Sequence, residues 1–229
     1  AIRIFDWAFV RSLTFYLLSP SMNLRPLHLG LVLVSLLSLV PSASAQFTEL
    51  TKKIPASANV AVFVNADKLM ASPVALKEDW ASKRDKAFAS GVSFLPPDAK
   101  AAVLAMELDL DSWTPMWESA VIELDHQPDI KQIVAMTGGA QDTIEGYSVV
   151  GLPSDAYLVR FGPSTGAFMA PANRQAVSRW LRQVKAKDDI NLSSAYLFEA
   201  FKYANDRGTP VIIALDLEDS AHPAEIRAR

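Results

Sequence analysis

The chain contains no cysteine, and this absence excludes disulfide bonds, thiolate metal sites and a cysteine nucleophile. Histidine is scarce as well, because only His126 and His222 follow residue 45. A histidine-rich metal centre is therefore excluded too. The glycine pair Gly138-Gly139 is not part of a Gly-x-x-x-x-Gly-Lys phosphate loop, and it predicts the end of a helix instead. The sequence predicts no bound metal and no cofactor.

An excess of positive charge is also missing. The whole chain has 22 Lys and Arg against 25 Asp and Glu. Residues 1–45 hold Arg3, Arg11, Arg25 and Asp6, which leaves 19 basic and 24 acidic residues after Ala45. The net charge of that part is about −5, whereas nucleic-acid-binding domains carry a basic excess. The composition therefore argues against a nucleic-acid partner.

The apolar stretch Leu29–Val40 is shorter than the roughly 20 apolar residues that a transmembrane helix needs. A charged residue, Arg25, precedes it, and the small residues Ala43 and Ala45 follow it at the spacing of a cleavage site. We therefore expect a signal peptide over residues 22–45, cleavage after Ala45 and a periplasmic or extracellular protein that begins at Gln46. The alternative is an uncleaved anchor, which would hold the protein in a membrane through Leu29 to Val40.

Residues 1–21 precede Met22, where the signal should begin, and the chain starts at Ala1 instead of at a methionine. We interpret them as an upstream read-through or a gene-calling artefact. The alternative is an additional N-terminal helix. The residues that recur at helical spacing in this stretch are Phe5, Phe9, Leu13 and Tyr16.

Residues 46–208 predict one α+β domain with a mainly antiparallel sheet and helices packed on one face. Buried strands are expected over Asn59–Asn65, Lys100–Leu110 and Trp117–Leu124, followed by a meander of strands over Thr143–Val150, Ala156–Phe161 and Gly166–Ala170. Helices are expected from Ser72-Pro73 to Gly91 with Leu76, Trp80, Ala87 and Phe88 on one face, after Pro128, over Asn173–Lys187 and over Ser193–Asn205. The apolar face predicted for the helix Asn173–Lys187 consists of Val177, Trp180, Leu181 and Val184. The aromatic residues of the last helix are predicted to be core residues: Tyr196, Phe198, Phe201 and Tyr203.

Similar turns precede three of the predicted strands: Ile54-Pro55-Ala56-Ser57-Ala58, Leu95-Pro96-Pro97-Asp98-Ala99 and Leu152-Pro153-Ser154-Asp155-Ala156. The strand at Val211 resembles the strand at Val60, so residues 209–229 are predicted to begin a second, incomplete copy of the unit, and the chain looks truncated. The chain has proline turns that precede a Val-rich strand, and Ser72-Pro73 and a helix follow that strand. In this order of elements it resembles exported bacterial proteins that are classed as a domain of unknown function. The resemblance covers Ile54–Glu218, and it implies an α+β domain without implying an activity.

Two classes of function remain open. Acidic residues near strand ends could serve a hydrolase; they are Asp109, Asp111, Asp216, Glu218 and Asp219. No Gly-x-Ser-x-Gly motif accompanies His126 or His222, and strand-end acids are more often turn residues. We therefore expect a non-catalytic binding or structural module of the periplasm or cell envelope, with a protein or an envelope polymer as its partner.

Overall fold

The computed structural model describes residues 47–90, 93, 95–186 and 189–218. The signal segment, the cleavage residues Ala43 and Ala45, and the C-terminal residues 219–229 lie outside this part of the chain. No helix among the described residues is long and apolar enough to cross a membrane.

The described residues form one sheet of eight strands in the order β4-β5-β6-β7-β3-β2-β1-β8, and every neighbouring pair is antiparallel. The predicted α+β class with a mainly antiparallel sheet is confirmed. The strands are β1 Val60–Asn65, β2 Ala99–Asp109, β3 Thr114–Leu124, β4 Ala140–Ile144, β5 Tyr147–Leu152, β6 Ala156–Arg160, β7 Thr165–Ala170 and β8 Val211–Leu215.

The helices are α1 Thr48–Thr51, α2 Ala66–Met70, α3 Pro73–Lys77, α4 Trp80–Ala89, α5 Ile130–Thr137, α6 Arg174–Ala186 and α7 Ala195–Arg207. Their ends follow the local signals in the sequence. The Ser72 hydroxyl accepts a hydrogen bond from the Ala75 amide at the start of α3. Gly138 and Gly208 have φ angles of 68° and 55° and end α5 and α7 in the left-handed conformation.

The main core lies on the face of the sheet that α1, α6 and α7 cover. Val177, Trp180 and Leu181 of α6 and Phe201 of α7 are buried there, so the predicted apolar face of α6 is confirmed. The opposite face carries a second core, where Leu69 of α2 packs, and α5 covers β5 on that face through Val150. Successive strand residues point to opposite faces, and Val149 and Val150 are both buried because both faces are covered there.

Two elements differ from the predictions. The helix predicted from Ser72 to Gly91 is two helices, because Asp79 adopts a left-handed conformation between α3 and α4. Leu76 and Phe88 on its predicted apolar face are exposed. The strand predicted over Thr143–Val150 is a hairpin, because Glu145 and Gly146 both have positive φ and reverse the chain.

Phe47, the first described residue, is buried and donates its amide hydrogen to the Asn205 side chain at 3.3 Å. Trp180 of α6 donates its indole hydrogen to the Lys53 carbonyl at 2.6 Å and holds the same N-terminal segment. At the other end, β8 pairs with β1 in this sheet. The boundary predicted after residue 208 therefore falls between two elements of one core, and the second copy predicted for residues 209–229 stays a prediction.

Candidate functional site

The β8 strand lies at one edge of the sheet, and only one side of its backbone is paired with β1. The Asn65 amide donates to the Pro210 carbonyl at 2.8 Å, and the Asp216 amide donates to the Asn59 carbonyl at 2.8 Å. Because hydrogen-bonding groups alternate along an antiparallel pair, the even-numbered residues of β8 bond to β1. The amides and carbonyls of Val211, Ile213 and Leu215 therefore point away from the sheet, and within the described chain they have no partner.

A groove of about 520 Å³ runs between β8 and α7. Residues 212 to 214 border its strand side, where the side chains of Ile212 and Ala214 face α7 and the Ile213 side chain faces the opposite side of the sheet. Tyr196, Ala200 and Tyr203 contribute to the helix side. Ile213 is 51% exposed, and Tyr196 and Tyr203 are 56% and 52% exposed. The prediction that the aromatic residues of α7 are core residues is confirmed for Phe201 and wrong for the two tyrosines, because they lie on the side of α7 that faces the groove.

Three charged side chains also line the groove: Glu199, Lys202 and Asp206. Lys202 pairs with Glu199 at 2.6 Å and lies over the Phe198 ring, 4.5 Å from its centre. Asp206 is exposed and, among the described residues, has neither a hydrogen-bond nor an ion-pair partner. The groove thus combines apolar residues, two aromatic side chains and a carboxylate that has no partner among the described residues, beside a strand that pairs with β1 on one side only.

The strand-end acids make turns in the chain. One oxygen of Asp109 accepts hydrogen bonds from the amides of Asp111 and Ser112, at 2.9 and 3.3 Å, and these bonds lower the pKa of Asp109, with the Ser112 amide contributing most. Asp216 accepts from the Ser194 hydroxyl and from the Glu218 amide. These contacts are those of solvated turn carboxylates. Asp219 lies outside the described residues.

No three His, Cys, Asp or Glu side chains in the described part of the chain are grouped so that they could hold a metal ion. His126 is exposed next to Asp125, and His222 lies outside the described residues. The Gly138-Gly139 pair follows α5, as predicted, and Gly139 allows a close approach to β5. A Cβ atom at position 139 would lie 2.6 Å from Val150 Cγ1 and 2.7 Å from the Gly151 carbonyl oxygen.

One further carboxylate lies away from both the turns and the groove. Glu118 is on the central strand β3, its side chain has no hydrogen-bond partner among the described residues, and partial burial raises its pKa. Its neighbours across the strands are Met106 and Ala170, and neither of them supplies a charge. Glu118 is therefore an isolated, partly desolvated acid and does not form a catalytic pair.

Local sequence patterns do not predict the groove. The continuous apolar residues of β8 indicate a strand, but they do not indicate which side of that strand is paired. The local signal that could indicate a groove beside α7 is the pair Tyr196 and Tyr203, which are seven residues apart and therefore lie on one face of the helix.

No protein-family model and no curated protein matches this chain. Among solved structures, it is similar to crystal form I of TP0453, with 11% sequence identity, 72% of this chain and 61% of that chain covered, and a TM-score of 0.45. Crystal form IV of TP0453 is similar at 14% identity, with 69% and 60% covered and a TM-score of 0.43. The chain therefore spans about three fifths of the length of the TP0453 structures that it matches.

Proposed function

We propose that this chain is an exported, non-catalytic binding module of the periplasm or cell envelope, and that it binds an extended polypeptide segment at the edge of β8. The observation that carries the proposal is the row of outward backbone groups at Val211, Ile213 and Leu215 beside an aromatic groove. An added strand gains main-chain hydrogen bonds from such an edge, and the pockets beside the edge select its alternate side chains.

The side-chain pattern of the groove supports a peptide more than a small polar ligand. Ile212 and Ala214 belong to the same face as the α7 side of the groove, and Ile213 faces the opposite side of the sheet. An added strand would therefore place one set of its side chains beside Tyr196 and Tyr203 and the other set beside Ile213. Tyrosine is enriched in binding surfaces because it contributes a large apolar area and a polar hydroxyl.

The predicted cleavage site lies next to a buried residue. Cleavage after Ala45 would leave Gln46 as the first residue, and the next residue, Phe47, is buried in the core. A signal peptidase needs an accessible backbone, so cleavage at this site would have to precede the packing of Phe47. The proposed export and cleavage therefore come before folding.

N-terminal sequencing of the chain produced by an exporting cell tests this part of the proposal. We expect the sequence to begin at Gln46. A product that stays in the membrane fraction and retains Leu29 to Val40 would contradict cleavage and would favour the membrane-anchored alternative.

Photo-crosslinking tests the binding surface. Ile213 is replaced by p-benzoylphenylalanine, and the control carries the same analogue at Met136, which is 76% exposed on α5. In exporting cells we expect a discrete covalent adduct from position 213 and none above background from position 136. Equal labelling from the two positions would refute the assignment of β8 as the binding edge.

A further inference from the structure

We infer that the segment bound at the β8 edge is the β8 strand of a second copy of this chain, antiparallel to the first about a two-fold axis at Ile213. The inference rests on the proposed function, since it names the partner of the same surface. Closed two-fold dimers are the commonest assemblies of identical chains, and such an interface must be complementary to itself.

The backbone of β8 meets this condition. Its outward residues, Val211, Ile213 and Leu215, are spaced evenly about the centre of a five-residue strand. A two-fold axis at Ile213 sets Val211 opposite Leu215 of the second copy and Ile213 opposite itself. Each of these pairs exchanges two backbone hydrogen bonds, so about six bonds join the two sheets. The result is a continuous antiparallel sheet through both copies.

Within the part of the chain that the structure describes, β8 also lacks the features that prevent edge strands from pairing. Proteins protect such edges with lysine, internal proline, bulges or covering segments. The strand Val211–Leu215 contains only apolar residues, and its pairing with β1 has no register shift. The exposed Ile213 side chain lies at the proposed axis, where it would contact Ile213 of the second copy.

The charges on α7 are complementary under the same rotation. The Ser194 hydroxyl binds Asp216, so the start of α7 lies at the end of β8, and the two elements run in opposite directions. The axis therefore brings the start of each α7 towards the end of the other. Tyr196 of one copy then approaches the unpaired Asp206 of the other, and Glu199 approaches Lys202 of the other. Each charge in the groove meets an opposite charge or a hydroxyl donor, which favours a second copy over an unrelated strand.

Engineered cysteines test the pairing, because the natural chain has none. Residues in a hydrogen-bonded antiparallel pair have Cα atoms about 5.5 Å apart, which is within the range that a disulfide spans. We expect Ile213→Cys, in the chain from Gln46 onward, to form a reducible covalent dimer under mild oxidation at micromolar concentration. Met136→Cys is the control for random collision, and it should remain largely monomeric.

The register is tested by mixing two further variants. Val211→Cys and Leu215→Cys should cross-link to each other in a mixture, whereas each alone should form little dimer, because the proposed axis sets 211 opposite 215. Sedimentation velocity of the unmodified chain should show a dimer that dissociates on dilution. Ile213→Lys should raise the dissociation constant at least tenfold, and its circular dichroism spectrum should remain unchanged because the side chain is exposed.

The possible results separate the two proposals. An unmodified chain that stays monomeric up to about 100 µM, with equal disulfide yields at positions 213 and 136, overturns the dimer. If the photo-crosslinker at position 213 still forms an adduct with another protein, the binding function stands and only the identity of the partner is wrong. A monomer with no adduct from position 213 overturns both.

Discussion

The two edges of the sheet differ in how their outward backbone groups are satisfied. At β4, the Thr143 amide donates to Asp142 at 2.6 Å, and the Thr143 carbonyl accepts from Arg174 at 3.3 Å. Arg174 also pairs with the other Asp142 oxygen at 3.1 Å. At β8, the corresponding groups of Val211, Ile213 and Leu215 have no partner among the described residues. Side chains therefore bind the outward backbone groups of Thr143 at one edge, whereas no described side chain binds the outward groups of β8 at the other.

The residue types account for this difference. The centre of β4 is Gln141, Asp142 and Thr143, and Arg174 at the start of α6 binds the Asp142 carboxylate and the Thr143 carbonyl. The centre of β8 is Ile212, Ile213 and Ala214, and the neighbouring α7 presents tyrosines beside the edge without covering it. An apolar edge without protection is a hazard unless a partner uses it. This contrast is the physical basis for assigning the binding surface to β8.

The largest expected effect concerns the helix that closes the β4 edge. Trp180 anchors α6 through its bond to Lys53 and an edge-on contact with Phe161, with ring centres 5.7 Å apart. Trp180→Ala should lower the free energy of unfolding by about 3–5 kcal/mol, measured by urea denaturation. Trp113→Ala is the control, because Trp113 is 57% exposed. A loss below about 1 kcal/mol at position 180 would show that α6 is not anchored this way.

Two proline substitutions separate the paired side of β8 from its open side. Ala214 is buried and its amide faces β1, so Ala214→Pro removes a hydrogen bond of the sheet and should cost about 1–3 kcal/mol. The Ile213 amide faces outward, and Ile213→Pro should cost less than about 1 kcal/mol because proline is tolerated where the amide faces solvent. Thermal unfolding of the two variants at a concentration below dimerisation makes the comparison. Equal losses would mean that the assignment of inward and outward residues is wrong.

Arg174→Ala should open the β4 edge and change the titration of Asp142. The hydrogen bond from Arg174 is the main cause of the lowered pKa of Asp142, and the Thr143 amide adds to it. A lowered pKa in the folded state stabilises the fold above the ordinary aspartate pKa of about 4, and this contribution is lost as the pH falls through the lowered value. In the variant, the Asp142 pKa measured by carboxyl NMR should rise towards the ordinary value. An unchanged pKa would show that Arg174 does not close this edge.

The smallest expected effect on stability is that of Tyr203→Ala. Tyr203 is exposed, and the Arg207 guanidinium lies 5.5 Å from the centre of its ring. The free energy of unfolding should therefore change by less than about 0.5 kcal/mol. Self-association through β8 should nevertheless weaken in sedimentation experiments. Phe201→Ala, two residues earlier and buried, should instead destabilise the fold. A large loss of stability at position 203 would mean that the tyrosine belongs to the core.

Local residue patterns predict most of the helices and strands of this protein. Helix faces and caps depend on residues within one or two turns, so the local sequence specifies them. Examples are the apolar spacing on α6, the cap residue Ser72, and the helix-ending residues Gly138 and Gly208. The valine alternation in β1 similarly predicts a buried strand. Glu145-Gly146 is a local turn signal inside the strand predicted over Thr143–Val150, and this stretch is a hairpin.

The tertiary structure is needed to know which strands lie at the edges of the sheet and which side of α7 is exposed. Val60 and Val211 begin strands with similar sequence patterns, and the structure places these two strands next to each other in one sheet. Pairing between residues about 150 positions apart depends on the arrangement of the whole core, and no local pattern encodes it. Because β8 is an edge strand of the described sheet, the Ile213 backbone has no partner among the described residues, and Tyr196 and Tyr203 on the neighbouring helix line the groove. The edge position of β8 cannot be predicted from its sequence, because an apolar strand has the same sequence pattern whether one or both of its sides are paired.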